Sequence, residues 1–114
     1  MADTPEITPL SVDNVSDFHV HCDYSIDAVG TIEDYCRAAL RRRLAEICFT
    51  THFDANPRSA DHANYVRVNG EKLPTTVENL APYVDHVLRA ADEYYPYGLS
   101  VKLGVEFGWY DGCE

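Results

Sequence analysis

The segment Glu46-Ile47-Cys48-Phe49-Thr50-Thr51-His52 is short, nearly continuously apolar, and ends in a histidine. A run of this kind fits a central strand of a parallel sheet, covered on both faces. Parallel neighbours require crossover connections, usually helical, so this one segment constrains what must flank it.

The flanking sequence supplies such connections. From Val15 to His21 the order Val-Ser-Asp-Phe-His-Val-His alternates apolar and polar residues, as a short strand does, with His19 and His21 on one face. After a polar turn with Ser25 and Gly30, Thr31 is placed to cap a helix whose apolar positions are Ile32, Tyr35, Ala38, Ala39 and Leu40. Arg41, Arg42 and Arg43 close that helix, where the negative end of its dipole favours cations. Residues 53–75 show little pattern and read as a long loop leaving His52. Asn79 is expected to cap a second helix with Pro82 in its first turn and Leu80, Val84, Val87, Leu88 and Ala91 buried; Tyr94, Tyr95 and Pro96 end it. Leu99 to Trp109 then reads as a third strand with Glu106 near its end. Residues 1–14 form an irregular lead-in, and 15–114 form the folded unit.

Strand, helix, strand, helix, strand implies an α/β fold with parallel strands, outer helices and right-handed crossovers. Three strands make an incomplete barrel, and in barrels of this kind chemistry gathers at the carboxyl ends of the strands. His19, His21, His52 and Glu106 all fall at such ends. With 114 residues the chain affords one core. Nineteen acidic against nine basic residues give a charge of -10, which disfavours general nucleic-acid binding. Cys22, Cys36, Cys48 and Cys113 form no Cys-x-x-Cys pair, and no apolar run or signal-peptide layout precedes them, so reduced thiols and a cytoplasmic location away from membranes are expected. Cys36 and Cys48 read as core residues; Cys22, beside the histidine pair, is either reactive or simply small.

His-x-His on a strand places two imidazoles side by side, suited to zinc, iron or manganese, although the pattern alone also fits a structural pair. Asp27 follows in the turn, where a loop can fold its carboxylate back onto a metal or merely cap the next helix. His52 ends its strand for no reason that strand formation supplies. Glu106, between Val105 and Phe107, needs a metal or an arginine to compensate its charge if buried.

Asp17-Phe-His19-Val-His21, with Ser25 and Asp27 behind it, resembles the first motif of the PHP (polymerase and histidinol phosphatase) domain family. Thr50-Thr51-His52 resembles the second, with Thr51 where an acidic residue is usual, and Gly104-Val-Glu106 resembles the third. The resemblance spans Asp17 to Glu106 and extends, less specifically, to the histidinol phosphatase branch. It implies the N-terminal part of a distorted TIM-like barrel of seven strands holding two or three divalent ions, zinc, manganese or iron. It also implies that His19, His21, Asp27, His52 and Glu106 are metal ligands, that Glu106 bridges two ions and acts with His52 in catalysis, and that Asp17 orients a ligand.

Family members draw further histidines and an Asp-x-His segment from later strands. These are not found here, so completion by a further segment or by a second chain is expected. The implied activity is hydrolysis of a phosphorylated small molecule, with Arg58 as a candidate phosphate clamp. The alternatives are an incomplete metal-binding module, a PHP-type nuclease, and C–N bond hydrolysis of the amidohydrolase kind.

Overall fold

The computed structural model describes residues 15–54 and 65–108. Arg58, His62, Trp109 and Cys113 lie outside them, as does the lead-in. The elements are β1 (Ser16–Val20), α1 (Ile32–Arg41), β2 (Glu46–His52), β3 (Tyr65–Val68), β4 (Glu71–Pro74), α2 (Val77–Tyr94), a single 3-10 turn (Tyr95–Tyr97) and β5 (Ser100–Glu106). β1, β2 and β5 form a parallel sheet in the order β1-β2-β5, so the apolar run of β2 is central, as expected. It is not covered on both faces. Ile47, Phe49 and Thr51 are buried, whereas Glu46, Cys48, Thr50 and His52 on the alternate positions are only half-buried. Among the described residues, helices cover one face of the sheet and leave the other partly open.

α1 begins where its sequence says it must. The Thr31 hydroxyl accepts from the Asp34 amide and the Asp34 carboxylate accepts from the Thr31 amide, a reciprocal cap that satisfies two otherwise unpaired donors. Ile32, Cys36 and Ala39 form its buried stripe. α2 is capped by Thr76 rather than Asn79: the Asn79 amide donates to the Thr76 hydroxyl, and its side chain donates to the Pro74 carbonyl. Pro82 therefore falls beyond the first turn, at an exposed position of the helix, where it leaves one intrahelical hydrogen bond unmade. The buried residues of α2 are Tyr83, Val87, Ala90 and Tyr94, and Leu88 is exposed. Phenols rather than aliphatic chains thus carry much of the helix-to-sheet contact.

The stretch expected to be a loop contains a hairpin. β3 and β4 pair antiparallel around Asn69-Gly70, both with positive φ (53° and 83°), as a two-residue turn of the tightest kind demands. None of the described helices is long and apolar enough to cross a membrane.

Candidate metal centre

All the sequence-predicted ligands meet at one end of the sheet. The register sets His52 beside Glu106 on adjacent strands, and the Phe53 amide donates to the Glu106 carbonyl at 2.9 Å, which pins the two strand ends together. On the other side of β2, the pairing of β1 shifts register between Asp17 and Val20, an irregularity that re-aims the side chains near it. His19 lies in that shift. Asp17 accepts from the His19 backbone amide at 3.0 Å, so it steadies the backbone rather than the ring.

Two sets of possible metal-binding residues result, His19–His21–Glu106 and His21–Asp27–His52. In the first, His19 Nε2 lies 3.2 Å from His21 Nε2, and Glu106 Oε1 lies 3.0 and 2.9 Å from those two atoms. In the second, His21 Nδ1 is 2.9 Å from Asp27 Oδ1, and His52 Nε2 is 3.0 Å from Asp27 Oδ2. His21 belongs to both sets and is the least exposed of the three histidines in them, with 15% of its side chain accessible against 69% for His19 and 21% for His52.

The proton inventory of this cluster favours a cation. If His21 Nδ1–H donates to Asp27, its Nε2 presents a lone pair to the Glu106 carboxylate at 2.9 Å. A proton or a metal ion between them makes that contact attractive. Donor atoms around a tetrahedral zinc, with bonds of about 2.0–2.1 Å, lie roughly 3.3 Å apart, close to the edges of the first triangle. His52 Nδ1 is buried without a hydrogen-bond partner, yet lies 3.5 Å from Asp54 Oδ2 and 3.7 Å from Glu106 Oε2. Nitrogen and oxygen donors in this number suit divalent zinc, iron or manganese.

Burial opposes ionisation of Asp27, but hydrogen bonds from Ser25 and His21 and the nearby histidines outweigh it and hold its carboxyl at about 2. Burial likewise opposes ionisation of Glu106, and His19, His52 and His21 more than offset it, so its pKa is lowered. Both acids are anions at neutral pH. Cys22 is different: it is fully buried against Thr51, and burial pushes its thiol up, which suits a packing role and not a nucleophile.

Sequence reasoning gave no role to Ser25, which is wholly buried; its hydroxyl donates to Asp27 at 2.7 Å and accepts from the His52 amide at 3.4 Å. It also missed Asp54, whose spacing two residues after His52 was the available signal, and Tyr83, which donates to the Gly104 carbonyl at 2.7 Å between the two site strands. Beside the first triangle a shallow concavity of about 230 Å³ is lined by Phe18, His19, Thr50, Val105 and Glu106.

The PHP domain model matches residues 17–114. A probable histidinol-phosphatase of Deinococcus radiodurans is 31% identical over 98 residues, covering 86% of this chain and 34% of the relative. The crystal structure of histidinol phosphate phosphatase from Lactococcus lactis, complexed with zinc, L-histidinol and phosphate, superposes with a TM-score of 0.63 at 22% identity, covering 86% of this chain and 32% of that one. The chain thus spans about a third of the length of these relatives. The fold is α/β, with the parallel sheet and outer helices of part of a PHP barrel. With three motifs in order and a family match across nearly all of its folded length, this chain belongs to the PHP domain family.

Proposed function

We propose that this chain carries part of the active site of a metal-dependent phosphatase that hydrolyses phosphate monoesters of small molecules, in the manner of the histidinol phosphatases it resembles. The observation that carries this reading is the convergence of three imidazoles and two carboxylates from the ends of three strands and the loop that follows β1. On this reading His19, His21 and Glu106 hold one divalent ion, and His52 with Asp27 hold a second. Zinc, present in the Lactococcus lactis structure, is the leading candidate. Bound divalent ions supply Lewis acidity toward phosphate oxygens and activate water at neutral pH.

The chain's own residues do the remaining work. Glu106 turns one oxygen toward His19 and His21 and the other toward Nδ1 of His52, so its carboxylate faces all three imidazoles. Asp27 accepts a hydrogen bond from His21 Nδ1–H, which fixes the tautomer that presents Nε2 to the site. Ser25 holds Asp27 in that orientation. Three neutral imidazoles and two carboxylates leave two divalent ions with net positive charge, which attracts a phosphate dianion. The overall charge of -10 disfavours the nuclease alternative, since a polyanionic strand would be repelled outside the site.

The test is elemental analysis of the purified chain beside a phosphomonoesterase assay on histidinol phosphate, with zinc or manganese supplied. Bound metal that disappears in the variant carrying both His19→Ala and His21→Ala is expected; stoichiometric metal retained in that variant would overturn the assignment. Phosphate release supports the phosphatase reading, and metal without turnover favours a binding module that needs the rest of a barrel.

A further inference from the structure

Asp27 lies on the loop joining β1 to α1, and that loop is gripped by a residue some forty positions further along. Arg67, on β3, donates Nε and Nη2 to the Ser25 carbonyl at 2.9 and 2.5 Å, and Nη2 also donates to the Ala28 carbonyl. Its backbone amide donates to the Tyr24 carbonyl at 3.1 Å. The guanidinium therefore spans carbonyls on both sides of Asp27. The same Ser25 whose carbonyl Arg67 holds gives its hydroxyl to Asp27 and receives the His52 amide.

We infer that Arg67 is a positioning residue. By fastening the Asp27 loop to the β3–β4 hairpin, it sets the affinity of the Asp27–His52 half of the site, which its own side chain does not touch. This rests on the metal-binding reading above. The hairpin, which has no place in the ligand set, thereby acquires a function: it carries the clamp. A planar fork of donors suits two carbonyls at once, as an ammonium does not.

The sign of the effect separates positioning from simple charge. A cation near a divalent-ion site opposes ion binding, so if Arg67 acted only through its charge, removing it would tighten the site. If it acts by positioning, removing it weakens the site. Arg67→Met keeps the apolar stem and removes the fork. Wild type, Arg67→Met, Arg67→Lys and Asp27→Ala are titrated with zinc alone by calorimetry.

The step weakened in Asp27→Ala should weaken in Arg67→Met by about 10–100-fold, the size usual for groups that orient metal ligands. The step held by His19, His21 and Glu106 should change by less than about threefold. Arg67→Lys, which keeps the charge, should not restore wild-type affinity. Unchanged or tighter binding in Arg67→Met, equal weakening of both steps, or full rescue by lysine would each overturn the inference.

A metal-free readout stands beside these. Amide exchange at Asp23 and Ser25, which donate to Gly30 and Cys22 within the loop, should accelerate in Arg67→Met and Arg67→Lys, and unaltered exchange there overturns the clamp. If wild type binds no zinc, the metal reading fails and the exchange measurement alone decides Arg67.

Discussion

Phe49 and His52 are three residues apart on β2 and belong to different worlds. Phe49 is wholly buried, edge-on to Tyr35 of α1 at 6.4 Å between ring centres, among apolar neighbours. His52 is surrounded by acids, with Asp27 at 3.0 Å, Asp54 at 3.5 Å and Glu106 at 3.7 Å. The first position is explained by folding alone, because burying the ring removes apolar surface from water. The second is not: nothing in strand formation gathers like-charged carboxylates around an imidazole. The core beneath the rim holds these charged groups together, an arrangement typical of sites kept for chemistry.

The largest expected effect breaks the core half of this contrast. Phe49→Ala should cost about 3–5 kcal/mol, enough to unfold much of so small a domain, and a thermal melt without metal would read it. A loss below about 1 kcal/mol would mean that the sheet does not depend on this packing.

Ser25→Ala tests the rim. It removes the strongest of the interactions that keep Asp27 ionised, so the Asp27 carboxyl should rise from about 2 toward its ordinary value of 3.8, measurable by NMR titration of the metal-free chain. The sign follows from linkage. A lowered folded-state pKa stabilises the fold above the unfolded value and loses that stabilisation as pH falls through the folded one. Acid unfolding of Ser25→Ala should therefore begin at higher pH than in wild type. An unmoved Asp27 titration would show that the 2.7 Å contact is not holding the carboxylate.

The smallest effect is expected at Tyr83, which touches both regions. Its ring is in the core, and its hydroxyl holds Gly104 just below the site. Tyr83→Phe should cost about 1 kcal/mol. Burial pushes the phenol from 10.0 up to about 12, so ionisation favours the unfolded chain, and wild-type stability should fall as pH rises from about 10 toward 12. Tyr83→Phe should flatten that alkaline decline; an identical slope would mean that other groups cause it.

What the sequence disclosed follows the same division. His19, His21, His52 and Glu106 were legible because each falls at the carboxyl end of a strand that the apolar pattern marks out, and the parallel order followed from strands separated by helices. On α2 the expected face was largely right, with Val87 buried and Leu80, Val84 and Ala91 packed against the core; Leu88 is exposed, and Tyr83 and Tyr94 were overlooked because a phenol in a polar-looking position gives no apolar periodicity. The hairpin had a local signal in Asn69-Gly70, overlooked because the flanking strands are only four residues each. Ser25 was legible only as a member of the first motif, and Arg67 not at all: the contacts of Ser25 with His52 and of Arg67 with Ser25 join residues 27 and 42 positions apart, and no periodicity records a hydrogen bond to a distant backbone.

The contact between His19 and Glu106 joins residues 87 positions apart, nearly the whole folded length. An ion seated there would act as a clasp on the chain, closing a long loop and shrinking the entropy of the unfolded ensemble as a cross-link does. Occupancy and folding would then be one equilibrium: each tenfold rise in free metal above its dissociation constant would add about 1.4 kcal/mol to the stability of the fold.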